Sequence, residues 1–237
     1  MRRYTQNGEE RLWYDPREIE ELMAAELSRA SLSPTAAAPA VEIERFVEKH
    51  LGVRLDQYAE LEDEILGATE FVQGAAPRIL INKDLTNSAL DEDDPLPGRE
   101  GRWRATLAHE AAHVILHRCL YDVDNRTLDL FGHDGSSVPT RLHRCPKQQV
   151  AYRQRRNWDW REVQANKGMA ALLMPRAAFG ELAQREIDGA YAAEFCSSQE
   201  AISVAARLAE AFSVSKQAAR IRLETLGFVQ VAGQSRL

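Results

Sequence analysis

No apolar run in this 237-residue chain approaches the ~18 residues that a bilayer-spanning helix needs. The start, Met1-Arg2-Arg3-Tyr4-Thr5-Gln6, leads into charged sequence with no apolar core, so it does not read as a secretory signal, and the expected location is the cytosol. Cysteine is scarce. An odd number of three, Cys119, Cys145 and Cys196, without a signal argues against a disulfide framework and leaves thiols, some of which could bind metal. Positive charge is not in excess: 30 Lys and Arg face 36 Asp and Glu, a net charge of −6, so the chain as a whole is no generic nucleic-acid binder. Nor is there any long internal repeat.

What is present is an ordinary globular composition, 44% hydrophobic and 28% charged. The length suffices for one good core, or for a catalytic domain with a small appendage. Charge is uneven along it. Residues 91–94 read Asp-Glu-Asp-Asp, whereas 141–161 hold Arg141, Arg144, Lys147, Arg153, Arg155, Arg156 and Arg161 against Asp159 alone. Such a basic stretch reads as a solvated loop, or as a docking surface for an acidic partner or nucleic acid.

Apolar spacing predicts a helix over 16–29 and another over 41–51, which Gly52 ends. The small, Pro-punctuated stretch 31–40 between them reads as a linker. Val53–Tyr58, Leu66–Val72 and Arg78–Asn82 look like strands of a small antiparallel sheet, and 83–101 like a polar surface loop. A helix is expected from Arg102 to about Tyr121, irregular chain over 122–148, a second strong helix from about Trp158 to Met174 that Pro175 stops, and a further one through Leu182. Residues 198–227 read as two helices broken near Ser213-Val214-Ser215, with Ser215 as N-cap and Gly227 as the end.

Chemistry concentrates in His109-Glu110-Ala111-Ala112-His113. Four-residue spacing on a helix stacks both imidazoles on one face, where they can hold one Zn²⁺, and Glu110 on the neighbouring ridge can act as general base. Zinc lowers the pKa of a bound water to about 7, so the arrangement suits hydrolysis at neutral pH. The motif is short enough to arise by chance, so its context matters. Apolar flanks (Leu107, Ala108, Ala111, Ala112, Val114, Ile115, Leu116) suit a buried helix beside a cleft. A catalytic zinc also needs a third protein ligand. Candidates downstream are His117, His133, His143, Cys145 and Glu162. Three residues spread over two turns of one helix do not easily converge on a tetrahedral ion, so His117 is expected to support or pack rather than ligate.

Three blocks resemble the ImmA/IrrE-type zinc metallopeptidases. Thr106-Leu107-Ala108-His109-Glu110-Ala111-Ala112-His113-Val114-Ile115-Leu116-His117 is similar to the family's TLAHELGHLLLH. Trp160-Arg161-Glu162-Val163-Gln164-Ala165-Asn166, running into Ala170-Ala171-Leu172-Leu173-Met174-Pro175, resembles its E-x-x-A-N-x-F-A-A-x-L-L-M-P. Residues 208–227 resemble its closing helix-turn-helix-like segment. The resemblance spans about residues 40–230. It implies an α+β, zincin-like peptidase with the active-site helix on a small antiparallel sheet. It also implies Glu162 as third ligand beside His109 and His113, with Glu110 as catalytic base. The implied substrate is a protein, typically a helix-turn-helix repressor in a stress or mobile-element response. Departures are Ala112 where the family has Gly, Gly168 where it has Phe, and Gln164 where many members carry a second acid. A Gly inside this helix costs about 1 kcal/mol against Ala, and is expected to make room for a bulkier neighbour.

The expected organisation is an N-terminal helix and linker over 1–40, a zinc peptidase domain over 41–195 and a helix-turn-helix-like segment over 196–237. Two side readings remain. The echo of Leu116-His117-Arg118-Cys119 in Leu142-His143-Arg144-Cys145 raises a second metal site from His117, Cys119, His143 and Cys145. Lys216, Arg220 and Arg222 on the last helix raise weak DNA binding. The rival functions are therefore a DNA-binding regulator, or a repressor-sequestering one, with a non-catalytic metal site.

Overall fold

The structure, a computed structural model, describes residues 1–6, 9–72, 75–91, 98–121, 141–146, 159–188 and 198–229. A hairpin of β1 (Arg2–Gln6) and β2 (Glu9–Trp13) opens the chain, followed by α1 (Pro16–Arg29) and α2 (Ile43–Lys49). Strands β3 (Arg54–Ala59), β4 (Ile65–Phe71) and β5 (Arg78–Asn82) lead into α3 (Lys83–Ala89) and α4 (Arg99–His117). Then come β6 (Arg141–Pro146), α5 (Trp160–Leu173), α6 (Arg176–Asp188), α7 (Ser198–Ala211) and α8 (Lys216–Leu226). Among the described residues no helix is long and apolar enough to cross a membrane.

The main sheet has the order β3-β5-β4-β6. β4 pairs antiparallel with both β5 and β6, but β3 runs parallel to β5, so the sheet is mixed rather than purely antiparallel. Two stretches read as irregular are ordered elements. Lys83–Ala89, part of the expected polar loop, is a helix, because the Asn82 side chain caps it by accepting from the Asp84 N–H at 2.9 Å. Arg141–Pro146 is a strand, and its ladder with β4, rather than any apolar alternation of its own, makes it one.

Mixed α+β layering puts α4 between this sheet and a layer of helices. On one side β4 presents Gly67 and Thr69 to it, and on the other α5 crosses it. Leu107, Ala108, Ala111, Ala112 and Leu116 of α4 are all fully buried. Their core is shared with Leu12 of β2, Ile19, Met23 and Leu27 of α1, Phe212 just past α7, and Leu223 of α8. Residues 1–40 thus pack into the same core as the helix carrying the histidines. Where α4 and α5 cross, a Cβ on Gly168 would lie 2.7 Å from Ala112 Cβ and 2.9 Å from Met23 Cε. The glycine is the price of Ala112 and Met23 at that crossing. Near the C-terminus Ser215 caps α8 by accepting from the Ala218 N–H at 3.1 Å, and Gly227 ends it at φ 80°.

Candidate metal centre

His109 and His113 lie one turn apart on α4, and both are almost fully buried. Asp159 caps α5 by accepting from the Arg161 N–H at 3.0 Å, which starts that helix so that Glu162 falls in its first turn, aimed at α4. Helix polarity favours a carboxylate there. His109 Nε2 lies 3.1 Å from His113 Nε2 and 3.1 Å from Glu162 Oε2, and His113 Nε2 lies 3.2 Å from Glu162 Oε1. Burial opposes a charge on Glu162, but hydrogen bonds and charge from His109 and His113 outweigh it and hold the carboxyl well below the usual carboxylate range.

These three side chains fit a metal ion. Tetrahedral zinc with bonds of ~2.0–2.1 Å holds its ligand atoms about 3.3 Å apart; the two Nε2 atoms are within a few tenths of that from each other and each from one Glu162 oxygen, Oε2 for His109 and Oε1 for His113, and one ligand atom from each residue lies within 4.8 Å of the others. Among the described residues His109, His113 and Glu162 are the only group that could hold a metal.

Glu110 is fully buried on the sheet side of α4. Thr69 Oγ1 donates to Glu110 Oε2 at 2.6 Å, while Glu110 Oε1 has no hydrogen-bond partner among the described residues. Burial pushes this carboxyl up, against the pull of His109, His113 and the Thr69 hydroxyl. A buried carboxylate oxygen left open beside a two-His, one-carboxylate set is arranged to accept a proton from a water held there. Gly67 makes this approach feasible: a Cβ there would meet Thr106 Cγ2 at 2.8 Å and Glu110 Oε1 at 3.0 Å.

His117 does not reach the triangle's centre. Its Nδ1 lies 3.1 Å from His113 Nδ1 and its Nε2 lies 3.1 Å from Gln164 Oε1, a supporting position of the kind expected for it. Cys119 is an exposed thiol just past α4. His133 lies outside the described residues, as do the side chains of His143 and Cys145. The ladder between β4 and β6 sets His143 opposite Thr69 and Cys145 opposite Gly67. Of the three cations read as decorating the last helix, Arg222 is buried: it pairs with Glu20 of α1 at 2.5 and 2.8 Å and donates to the Met174 carbonyl at 2.8 Å. Sequence reasoning gave no part in the site to Thr69 or Leu12. Gly67 in a strand interior was the one visible signal, since such a glycine marks a close approach.

Residues 141–224 match the family model Peptidase_M78, the IrrE N-terminal-like domain. That stretch, about a third of the chain, is similar to an ImmA/IrrE-family domain. It carries Glu162 and the whole of α5, and it begins beyond α4, so the roles of His109, Glu110 and His113 rest on the geometry above. Similarity to a peptidase family agrees with a group of residues that could hold a metal. No curated protein and no solved structure matches the chain.

Proposed function

We propose that the chain is a cytoplasmic zinc metallo-endopeptidase that cleaves a protein substrate, a helix-turn-helix transcriptional repressor of a stress or mobile-element response. The observation that carries the enzymatic reading is the triangle of His109, His113 and Glu162 beside the open Oε1 of Glu110. The repressor rests on the family resemblance.

His109 Nε2, His113 Nε2 and one Glu162 oxygen would hold the ion. Zinc supplies a Lewis acid that polarises the scissile carbonyl and acidifies the attacking water. Glu110 does the proton work. Its Oε1 takes a proton as the water oxygen bonds to the carbonyl carbon, then delivers it to the amide nitrogen as the C–N bond breaks. Thr69 holds the other oxygen, Oε2, so that the carboxyl stays aimed. A cavity of about 580 Å³ is lined by apolar residues such as Ala105, Ala170, Leu173 and Ile221 and by polar ones such as Glu20, Arg102 and Asn166, though by none of the metal-site residues themselves. Ala105 is one turn before His109 and Asn166 one turn after Glu162, so the cavity lies one helical turn from the metal ligands on both helices.

Glu110→Gln should bind zinc as the natural chain does and cut the repressor substrate at least 10²-fold more slowly. Chelation should abolish cutting by the natural chain. A stable complex with the repressor left intact by the zinc-loaded natural chain would instead favour sequestration. Salt-sensitive operator binding indifferent to chelator would favour a DNA-binding regulator.

A further inference from the structure

The hydrogen bonds behind His113 continue past His117 into the N-terminal hairpin. Gln164 Nε2 donates to the Leu12 carbonyl of β2 at 2.9 Å, and every other link of the chain is 3.1 Å. His113, His117 and Gln164 are almost wholly buried, and the Trp160 ring stands edge-on to His117 at 5.5 Å between centroids. We propose that the Leu12 carbonyl, acting through Gln164 and His117, sets the tautomer of His113 and so presents its Nε2 lone pair to the metal. Gln164 and His117 are then positioning residues for a metal ligand.

The direction follows from donor and acceptor chemistry alone. A backbone carbonyl can only accept, so Gln164 must turn its NH₂ to Leu12 and its oxygen to His117. That oxygen can only accept, so His117 carries its proton on Nε2. A neutral imidazole with a proton on Nε2 accepts at Nδ1, so the hydrogen between the two rings belongs to His113 Nδ1. His113 Nε2 is then the nitrogen left to the metal, and it is the atom that faces His109 and Glu162. If the amide were flipped, two carbonyl oxygens would oppose each other at Leu12. Polar partners of this kind fix the ring orientation and basicity of metal-bound histidines. Here the last partner is main chain of a strand about 100 residues before the histidine, so the hairpin belongs to the metal centre.

The proposal rests on the metal reading for its purpose but not for its test. Long-range ¹H–¹⁵N spectra of the full chain should show His117 protonated at Nε2 only and a proton on His113 Nδ1, with His113 Nε2 giving up any proton it shares with Glu162 when Zn²⁺ is added. A His117 protonated at Nδ1, or at both nitrogens at neutral pH, would overturn it. A second test uses Gln164→Met, which keeps the length and removes both links. Competition against a chelator should show Zn²⁺ affinity falling 10–100-fold. Met23→Ala, which loosens the same core at Gly168 without touching the chain of hydrogen bonds, is the control. Equal affinity loss in both variants would reduce Gln164 to a packing role and sink the proposal. If the natural chain binds no Zn²⁺ at all, the metal reading fails while the ring tautomers still decide the relay.

Discussion

At the scale of single residues, the site depends on one hydroxyl. Thr69 supplies a hydrogen bond to the charged form of Glu110, which burial otherwise disfavours. Removing that bond raises the carboxyl further, and a general base works only when deprotonated. Thr69→Val should therefore move the acidic limb of the pH–kcat/KM profile to higher pH and lower the rate at neutral pH about tenfold. An unmoved limb would mean that Thr69 merely packs. The two histidines and Glu110 were legible because their spacing is itself the chemistry on any helix. Thr69 was not, because a threonine in a strand has no marker until the strand is placed against α4.

The telling contact between elements is the crossing of α4 and α5. Ala112 and Gly168 depart together from the pattern the chain resembles, and the structure brings them face to face. Gly168→Ala gains about 1 kcal/mol of helix propensity. It also puts a methyl 2.7 Å from Ala112 Cβ, which cannot give way without the helices separating. Overpacking of this kind costs about 1–3 kcal/mol, so a net loss of roughly 1 kcal/mol is expected in urea unfolding. Pairing it with Ala112→Gly should relieve the clash, giving a coupling of about 1 kcal/mol in a double-mutant cycle. Additive effects would contradict the packing account. Element boundaries set by caps and apolar period, as in α1, α5 and α8, could be read along the chain. Strand β6 and the hairpin could not, since strands of that kind are defined by what they pair with.

For the whole molecule, the N-terminal and C-terminal helices are tied to each other and to α4. Arg222 of α8 is bound by Glu20 of α1 and by the Met174 carbonyl, just beyond α5. Arg104 of α4 donates to the carbonyls of Val41 at 2.8 Å and Ser213 at 3.2 Å. Glu20→Ala leaves a buried guanidinium short of its counter-charge, which costs about 3 kcal/mol. Urea unfolding should show that loss in a single transition. A separate early transition of unchanged main midpoint would mean that the N-terminal elements are an appendage after all. The same tie takes Arg222 out of the basic surface that suggested DNA binding.

By itself the sequence determined the helix with its two histidines and glutamate, the capped ends of the principal helices, and the candidacy of Glu162, because each is written in local spacing or in a recognisable block. Only the tertiary structure decided that Glu162 meets both histidines, that Thr69 and Gly67 shape the pocket of Glu110, and that Leu12 stands behind His113 through Gln164 and His117. Those relations join residues tens to over a hundred positions apart. They exist only where strands and helices have packed, since a hydrogen bond or a steric limit depends on distance in space, which no period along the chain records.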